Sequence, residues 1–357
     1  MQKSILITGG AGFVGSSLAI SIKKKYPDYK VICLDNLKRR GSELNIPRLA
    51  EHGVQFIHGD IRNKEDISQF ETEITTIIEA SAEPSVLAGI NNSPDYLINT
   101  NLMGTINCLY LAAKLQADFI FLSTSRVYPI EPIEKINFKD GNKRFDIDHL
   151  QSMTGISERG IAENFPLEGF RSLYGATKLS SEFLIHEFNQ FYKFKTVINR
   201  CGVLAGPWQM GKVDQGVTVL WVARHFWKKR LSYIGYGGKG KQVRDILHID
   251  DLSRLVDYQL HHMEQLNGQT VNAGGGHENS LSLQELTTLC RRFTGNTIEI
   301  DEVKENRQAD IRIYITDNTK VTQLTGWKPQ ISCEEIIRQI HVWIRDNDKA
   351  LYPILGI

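Results

Sequence analysis

Two side chains that could move a proton stand four residues apart in the segment Tyr174-Gly175-Ala176-Thr177-Lys178. At this spacing, Tyr174 and Lys178 lie on one face of a helix. Tyrosine is a weak base near neutral pH because its ordinary pKa is about 10. A neighbouring ammonium and an oxidised nicotinamide ring both favour the phenolate. The pair therefore predicts a tyrosine base that removes a proton from a substrate hydroxyl.

Hydroxyl groups follow the fifth predicted strand in the run Ser123-Thr124-Ser125-Arg126-Val127-Tyr128. Ligands of a doubly wound sheet bind outside the carboxyl ends of its strands. One hydroxyl here could hydrogen-bond the substrate hydroxyl that Tyr174 deprotonates. The alternative, expected for two of the three hydroxyls, is a bond to nearby backbone groups at the strand end.

A glycine-rich turn follows the first predicted strand, in the pattern Gly10-x-Gly12-x-x-Gly15, with Gly9 as a further permissive position. Glycines allow a tight turn and let backbone N–H groups approach a pyrophosphate at the N-terminus of the next helix. An acid, Asp35, ends the second predicted strand, where it would hold the ribose hydroxyls of an adenosine. The sequence therefore predicts a dinucleotide site.

The acid also bears on which dinucleotide binds. Asp35 would repel a 2′-phosphate and so favours NAD over NADP. The basic run Lys38-Arg39-Arg40 could instead host that phosphate, so NADP stays open. Asp60, after the third predicted strand, could reach the adenine edge or could be an ordinary turn carboxylate.

The elements that position these residues alternate strands with helices, which predicts a Rossmann-type doubly wound parallel sheet of the α/β class. The predicted strands are Ser4–Thr8, Lys30–Leu34, Val54–His58, Thr75–Glu79, Asp118–Ser123 and Thr196–Arg200, and the predicted helices are Phe13–Lys25, Lys64–Phe70, Tyr96–Lys114, Phe170–Tyr192, Gln284–Thr294 and Glu334–Arg345. We expect a dinucleotide-binding domain over 1–202, with a loop-like insert over 130–170. A smaller α/β substrate-binding lobe is expected over 203–357, some of whose segments can return to the first domain.

Composition limits the classes of protein to which the chain can belong. The chain has 357 residues, 41% of them hydrophobic, and a net charge of +1, which argues against a nucleic-acid or anionic-membrane binder. No apolar run reaches the ~20 residues that cross a bilayer. Five scattered cysteines without a C-x-x-C pair suggest reduced thiols and a cytoplasmic location. The ten histidines show no ligand spacing, so no metal site is predicted.

Taken together, the motifs resemble the extended short-chain dehydrogenase/reductases that modify nucleotide sugars. The resemblance runs over essentially the whole chain and includes the T-G-G-x-G-F-V-G turn, Asp35-Asn36, Ala80-Ser81-Ala82, Asn101-x-x-Gly104-Thr105, S-T-S-x-V-Y and Y-x-x-x-K. It implies that Thr124 is catalytic beside Tyr174 and Lys178. It also implies an NAD site formed by Tyr174 and Lys178 together with Gly9, Gly12, Phe13, Val14, Gly15, Asp35, Asn36, Asp60, Ile61, Ala80, Ala82, Asn101, Ser123 and Arg200.

The same resemblance bears on the substrate. Dehydratases of this family carry an Asp-Glu pair just after the catalytic threonine, because eliminating water needs a further acid and base, whereas this chain has Ser125 and Arg126. Segments of the second half, including Asp214-Gln215-Gly216, resemble the CDP-paratose 2-epimerase branch. Two arginines, Arg244 and Arg307, match positions that hold the diphosphate of a nucleotide sugar. The implied substrate contacts are Thr124, Ser125, Arg126, Gln209, Gln215, Arg244 and Arg307.

The implied activity is inversion of a ring hydroxyl by transient oxidation and re-reduction, with C2 as the expected carbon. Two alternatives stay open at this point: a nucleotide-sugar 4-epimerase or reductase of the same family, and a non-catalytic dinucleotide-sensing protein. The family resemblance also implies a homo-oligomer, a dimer or a tetramer, paired through Tyr96–Lys114 and Ser172–Tyr192.

Overall fold

The computed structural model describes residues 3–70, 74–90, 93–211 and 215–356. It forms two compact units whose segments alternate along the chain. The first unit comprises Met1–Val127, Ser172–Arg200 and Leu252–Val271, and the second comprises Tyr128–Arg171, Cys201–Asp251 and Asn272–Ile357. The segment predicted as an insert of the first domain thus belongs to the second unit, while 252–271 returns to the first.

The strands and helices of the described residues are short to medium in length. The strands are β1 (Ser4–Thr8), β2 (Lys30–Asp35), β3 (Gln55–His58), β4 (Thr76–Glu79), β5 (Asp118–Thr124), β6 (Phe138–Asp140), β7 (Phe145–Ile147), β8 (Ile156–Ser157), β9 (Gly160–Ile161), β10 (Thr196–Cys201), β11 (Val203–Ala205), β12 (Leu231–Ile234), β13 (Val243–His248), β14 (Gln269–Ala273), β15 (Ser280–Ser282), β16 (Ile300–Val303) and β17 (Ile313–Tyr314). The α-helices are α1 (Phe13–Lys25), α2 (Asn45–Glu51), α3 (Lys64–Ser68), α4 (Asp95–Ile98), α5 (Gly104–Leu115), α6 (Ile130–Glu134), α7 (Leu173–Tyr192), α8 (Val217–Phe226), α9 (Ile249–His261), α10 (Met263–Leu266), α11 (Leu283–Thr294), α12 (Thr319–Thr325), α13 (Cys333–Asp346) and α14 (Asp348–Leu355).

A seven-stranded sheet in the order β14-β10-β5-β4-β1-β2-β3 forms the centre of the first unit. Strand β1 pairs in parallel with both β2 and β4, so the strand order reverses between β1 and β4. A crevice at the carboxyl ends of the strands is expected at such a reversal. The predicted doubly wound parallel sheet is confirmed.

The central strands β1, β4 and β5 are buried almost throughout, which is why they read as largely apolar runs rather than as alternating ones. All five residues of β1 are buried. One face packs on α3, α5 and α7 through a core that includes Leu6, Ile77, Phe119, Leu109 and Ile185. The alternate side chains of the strands, such as Ile5 and Ile7, are equally buried on the other face. Helices therefore cover both faces of the sheet.

The second unit is built from smaller sheets. Strand β13 is its centre, pairing in parallel with β11 and β17 and antiparallel with β15. The segment 130–170 contains α6 and the hairpins β6/β7 and β8/β9. It is not the long loop that the sequence predicted. Its elements of two to five residues are too short to show a hydrophobic period.

The described part of the chain holds no helix that combines the length and the apolar character needed to cross a membrane.

Candidate active site

The turn between β1 and α1 is shaped by its glycines. Gly9 has a φ of +66°, and a Cβ there would lie 2.8 Å from the carbonyl oxygen of Ala80. A Cβ on Gly15 would lie 2.3 Å from the carbonyl oxygen of Gly9. The helix starts at Phe13 without a side-chain cap and without an acid in its first turn, so its first N–H groups can meet an anion. These features fit the pyrophosphate of a dinucleotide.

Asp35, at the end of β2, is tied to the same turn. Its carboxylate accepts hydrogen bonds from the backbone N–H of Ala11 at 3.1 Å and of Leu37 at 2.8 Å. Burial raises the pKa of this carboxyl, against the effect of those N–H donors. The acid that the sequence predicted as a ribose ligand is therefore positioned beside the glycine turn by direct contacts.

The next strand brings Asp60 to Asn36. Asn36 Nδ2 donates to Asp60 Oδ2 at 2.8 Å, and Arg62 forms an ion pair with the same oxygen at 2.6 Å. Although burial opposes ionisation, the hydrogen bonds from Arg62 and Asn36 hold the pKa of Asp60 below its usual value. Lys38, one of the residues that left NADP open, lies over the ring of Tyr96, with Nζ 5.4 Å from the ring centroid.

Asn101 is fully buried and connects two predicted parts of the site. Its Oδ1 accepts from the N–H of Glu83 at 2.8 Å, and its Nδ2 donates to the carbonyl oxygen of Glu83 at 3.1 Å and to Thr177 Oγ1 at 3.4 Å. It thereby holds the segment after β4, which contains Ala80 and Ala82, against α7. Ile61 is also buried.

The predicted catalytic residues come from α7 and from the end of β5. Ser172 caps α7 by accepting from the N–H of Gly175 at 3.2 Å, so that Tyr174 falls in the first turn and Lys178 one turn later. Tyr174 is half-buried, whereas Lys178 is only 1% exposed. Thr124 ends β5, where its hydroxyl accepts from the N–H of Arg126 at 3.2 Å. Helix α7 packs on β5 and on the turn after it.

Two predicted cofactor contacts, Ser123 and Arg200, have their side chains directed at Glu182. Ser123 Oγ donates to Glu182 Oε1 at 2.5 Å. Arg200 donates to Glu182 Oε2 from Nη2 at 2.7 Å and from Nε at 3.0 Å. Glu182 was not singled out from the sequence, although its position four residues after Lys178 on the same helix face could have indicated it.

A second acid missed by sequence reasoning, Glu79, lies next to Lys178. Its Oε2 is 3.9 Å from Lys178 Nζ, and both side chains are buried. The signal that could have found it is a glutamate at the end of the apolar strand β4, directly before Ala80.

The predicted substrate residues lie in both units. Ser125 and Arg126, in the first, form a 3₁₀ turn directly after β5 and are half-buried. In the second, Arg244 donates from Nη2 to Asp310 Oδ1 at 2.8 Å and to the carbonyl oxygen of Ile311 at 2.6 Å. These contacts tie Arg244 to the loop of Arg307, which is half-buried.

Two glutamines complete the predicted substrate set. Gln209 donates from Nε2 to the carbonyl oxygen of Leu204 at 2.9 Å. The Oε1 atoms of Gln209 and Gln215 are buried and have no hydrogen-bond partner within the described residues. Asp214, from the same sequence motif as Gln215, lies outside the described residues.

The glycine turn at a sheet reversal, the acid at the end of β2 and the Tyr–Lys helix define a dinucleotide-dependent enzyme of the Rossmann type. A sequence model described as the NAD dependent epimerase/dehydratase family matches residues 5–274, and the chain belongs to this family. Its cofactor is NAD, and it is an enzyme of the type that includes nucleotide-sugar epimerases and dehydratases.

Its relatives have different activities. A CDP-paratose 2-epimerase of Salmonella typhi is 29% identical over 95% of this chain and 98% of its own length. A dTDP-glucose 4,6-dehydratase of Mycobacterium tuberculosis is 26% identical over 98% and 96%. The solved UDP-glucose 4-epimerase of Thermotoga maritima, in complex with UDP-glucose, is 26% identical with a TM-score of 0.77, covering 96% of this chain and 99% of its own.

Proposed function

We propose that this enzyme is a nucleotide-sugar epimerase that inverts a ring hydroxyl by transient oxidation and re-reduction. The observation that carries the proposal is the pairing of Tyr174 and Lys178 on α7 with Ser125 and Arg126 after Thr124. Removing water from a sugar needs an acid and a base besides the tyrosine. Neither a serine hydroxyl nor a guanidinium serves readily as that acid or base near neutral pH.

The chain's own residues would hold and move one proton. Tyr174 takes the proton of the reacting hydroxyl, while the Thr124 hydroxyl orients that oxygen by a hydrogen bond. Lys178 keeps positive charge beside the phenolate. When bound, NAD would supply the hydride acceptor and donor that oxidise the sugar carbon and then reduce it again from its other face. Tyr174 then gives its proton back, so there is no net oxidation and the cofactor stays bound through turnover.

For the substrate, we propose a nucleoside diphosphate sugar of the CDP-paratose type, with inversion at C2. The support is the Salmonella typhi relative, together with Arg244 and Arg307 in the second unit. Planar guanidinium groups suit a diphosphate, because each can give two parallel hydrogen bonds. Gln209 and Gln215 are proposed as further polar contacts, since each has a buried side-chain oxygen without a partner within the described residues.

The test is incubation of the full-length enzyme with CDP-, UDP-, GDP- and dTDP-sugars in ordinary and deuterated water, read by NMR. We expect inversion of a CDP-sugar at C2, with no solvent deuterium at that carbon. Inversion at C4 would assign a 4-epimerase instead, and a 4-keto-6-deoxy product would assign a dehydratase. Solvent deuterium at the inverted carbon would refute hydride transfer.

The matched control is Tyr174→Phe, which removes one hydroxyl oxygen and keeps the ring. It should lose inversion by about 10²-fold or more while its circular dichroism stays unchanged. Activity close to that of the wild type would refute Tyr174 as the base.

We also propose a cytoplasmic location and a homodimer. The five cysteines are buried and free, which suits a reducing compartment. Helices α5 and α7 carry exposed aromatic side chains, including Tyr110 at 53%, Phe183 at 58% and Phe191 at 77% exposure. Sedimentation of Phe183→Asp should give a monomer; a dimer as stable as that of the wild type would exclude this face.

A further inference from the structure

A buried carboxylate lies against the lysine of the candidate catalytic pair. Glu79, the last residue of β4, is the register partner of Phe121 in the middle of β5. The Nζ atom of Lys178 lies 3.8 Å from the centroid of the Phe121 ring and 3.9 Å from Glu79 Oε2. The ammonium is therefore held between an aromatic face and a carboxylate.

This pair is sealed from solvent in the structure. Glu79 has 0% of its surface exposed and Lys178 has 1%. Burying two charges has a large desolvation cost, and a pair of this kind is weak evidence for a role in stability alone. Anchoring α7 to the sheet is therefore not a sufficient explanation for the buried Glu79–Lys178 pair.

The two oxygens of Glu79 differ in their contacts. Oε2 accepts a hydrogen bond from the Thr105 hydroxyl at 3.1 Å. Oε1 is buried and has no hydrogen-bond partner within the described residues. Burial raises the pKa of this carboxyl, against the charge of Lys178, the Thr105 hydroxyl and the backbone N–H of Ser81.

The charged and titratable groups around Glu79 are few. Helix α7 supplies Lys178 and helix α5 supplies the Cys108 thiol. Burial, followed by the charge of Glu79, raises the pKa of Cys108 well above its ordinary value, so this thiol is neutral at working pH. The adjacent strands contribute Thr8 and Phe121, which carry no charge. Lys178 is thus the cation that responds to the charge of Glu79.

We propose that Glu79 is a positioning residue of the proton-transfer machinery, whose ionised carboxylate holds the Lys178 ammonium and limits how strongly that ammonium favours the Tyr174 phenolate. The proposal rests on the proposed function, since it takes Tyr174 as the base. The residues that set the pH range in which Tyr174 acts as a base would then include Glu79, an acid on strand β4.

The sign of the effect follows from the charges. The ammonium of Lys178 lowers the pKa of Tyr174, and the negative charge of Glu79 opposes it. Replacing Glu79 by a neutral residue therefore lowers the pKa of Tyr174. A unit charge about 10 Å away, at an effective dielectric constant of about 20, shifts a pKa by roughly one unit.

The test is Glu79→Gln in the full-length enzyme, which removes the charge and keeps the shape. The ultraviolet absorbance of tyrosinate is followed against pH for this variant and for the wild type. From each curve, the curve of the same protein with the added substitution Tyr174→Phe is subtracted. The difference isolates Tyr174 without requiring turnover. We expect its ionisation to move by about one pH unit toward lower pH, and the acid limb of the kcat/KM profile to move with it.

The control is Thr76→Val, a buried uncharged substitution on the same strand, which should leave the ionisation of Tyr174 in place. If Glu79→Gln does not fold, Glu79→Asp serves instead, because it withdraws the charge by one methylene and should give a smaller shift in the same direction. An unmoved Tyr174 ionisation in the folded variant overturns the role of Glu79 while leaving the epimerase proposal standing. A wild-type Tyr174 that does not ionise near the working pH overturns both.

Discussion

The buried Glu182–Arg200 pair offers a test of how α7, the helix of the candidate catalytic residues, is held in place. Glu182 and Arg200 are 2% and 6% exposed, and the carboxylate accepts from Arg200 Nη2 at 2.7 Å and from Ser123 Oγ at 2.5 Å. Glu182 lies on α7 two turns after Tyr174, while Ser123 directly precedes Thr124 on β5. Its carboxylate thereby links the two elements that carry the candidate catalytic groups.

We predict that Glu182→Gln destabilises the first unit strongly. The amide keeps the volume of the carboxylate, but the buried Arg200 loses the counter-charge of Glu182. Breaking a buried pair in this way costs about 3–5 kcal/mol. For a unit of this size, 3 kcal/mol corresponds to a melting temperature lower by roughly 6–12 °C. Ser123→Ala removes one neutral donor and should cost only about 1 kcal/mol.

The assay is thermal and urea unfolding followed by circular dichroism. The double variant Glu182→Leu with Arg200→Met removes both charges and should recover most of the stability lost in Glu182→Gln. Lys25→Gln is the control, because Lys25 pairs with Asp257 at the surface and its loss should change unfolding little. A loss below about 1 kcal/mol for Glu182→Gln, or a double variant less stable than the single one, would refute the reasoning.

Three further predictions concern the cofactor, pH and a helix cap. Asp35→Asn removes the charge that would repel a 2′-phosphate. The ratio of the affinities for NAD and NADP, measured by calorimetric titration, should therefore fall at least about tenfold. An unchanged affinity ratio would contradict the role of Asp35 in choosing NAD. Burial lowers the pKa of His225, so the unfolded chain binds its proton more readily. The free energy of unfolding should therefore fall as pH drops below about 6.5, and fall less in His225→Gln. Ser282→Ala removes the capping box of α11 and should lower the free energy of unfolding in urea by about 1 kcal/mol. Ser282→Gly should lower it by much less, because glycine is tolerated at this position.

The first unit was predicted closely wherever local signals were strong. The bounds of β1 and α1 agree with the predicted Ser4–Thr8 and Phe13–Lys25. An apolar run, a glycine turn and an amphipathic stretch follow one another there, so that each boundary has its own chemical cause. The helix predicted over 96–114 is instead α4 and α5 joined by a π-helical turn at Asn99–Met103. A single π-helical turn shifts the phase of the hydrophobic pattern by about one residue, which is too small a change to mark a boundary in a segment of this length.

What the sequence did not reveal depends on contacts between distant residues. Glu79 and Glu182 look like ordinary acids in the sequence, and only folding places them against Lys178 and Arg200. The assignment of 252–271 to the first unit has the same origin, because β14 is a short strand whose place is decided by pairing beside β10. The candidate site was predicted where a motif is local, and missed where a partner comes from another strand.

The place of β14 at one end of the sheet has a consequence for how the chain is synthesised. Sixty-seven residues separate the end of β10 at Cys201 from the start of β14 at Gln269. At a translation rate of roughly 5–20 residues per second, the ribosome needs about 3–13 s to deliver them. During that time, β10 presents an unpaired strand edge to other nascent chains, which is a route to aggregation. A fragment that stops at 202 would leave the edge of β10 unpaired permanently, because it lacks β14. Truncating the chain at one position therefore does not give a complete first unit, which also includes Leu252–Val271.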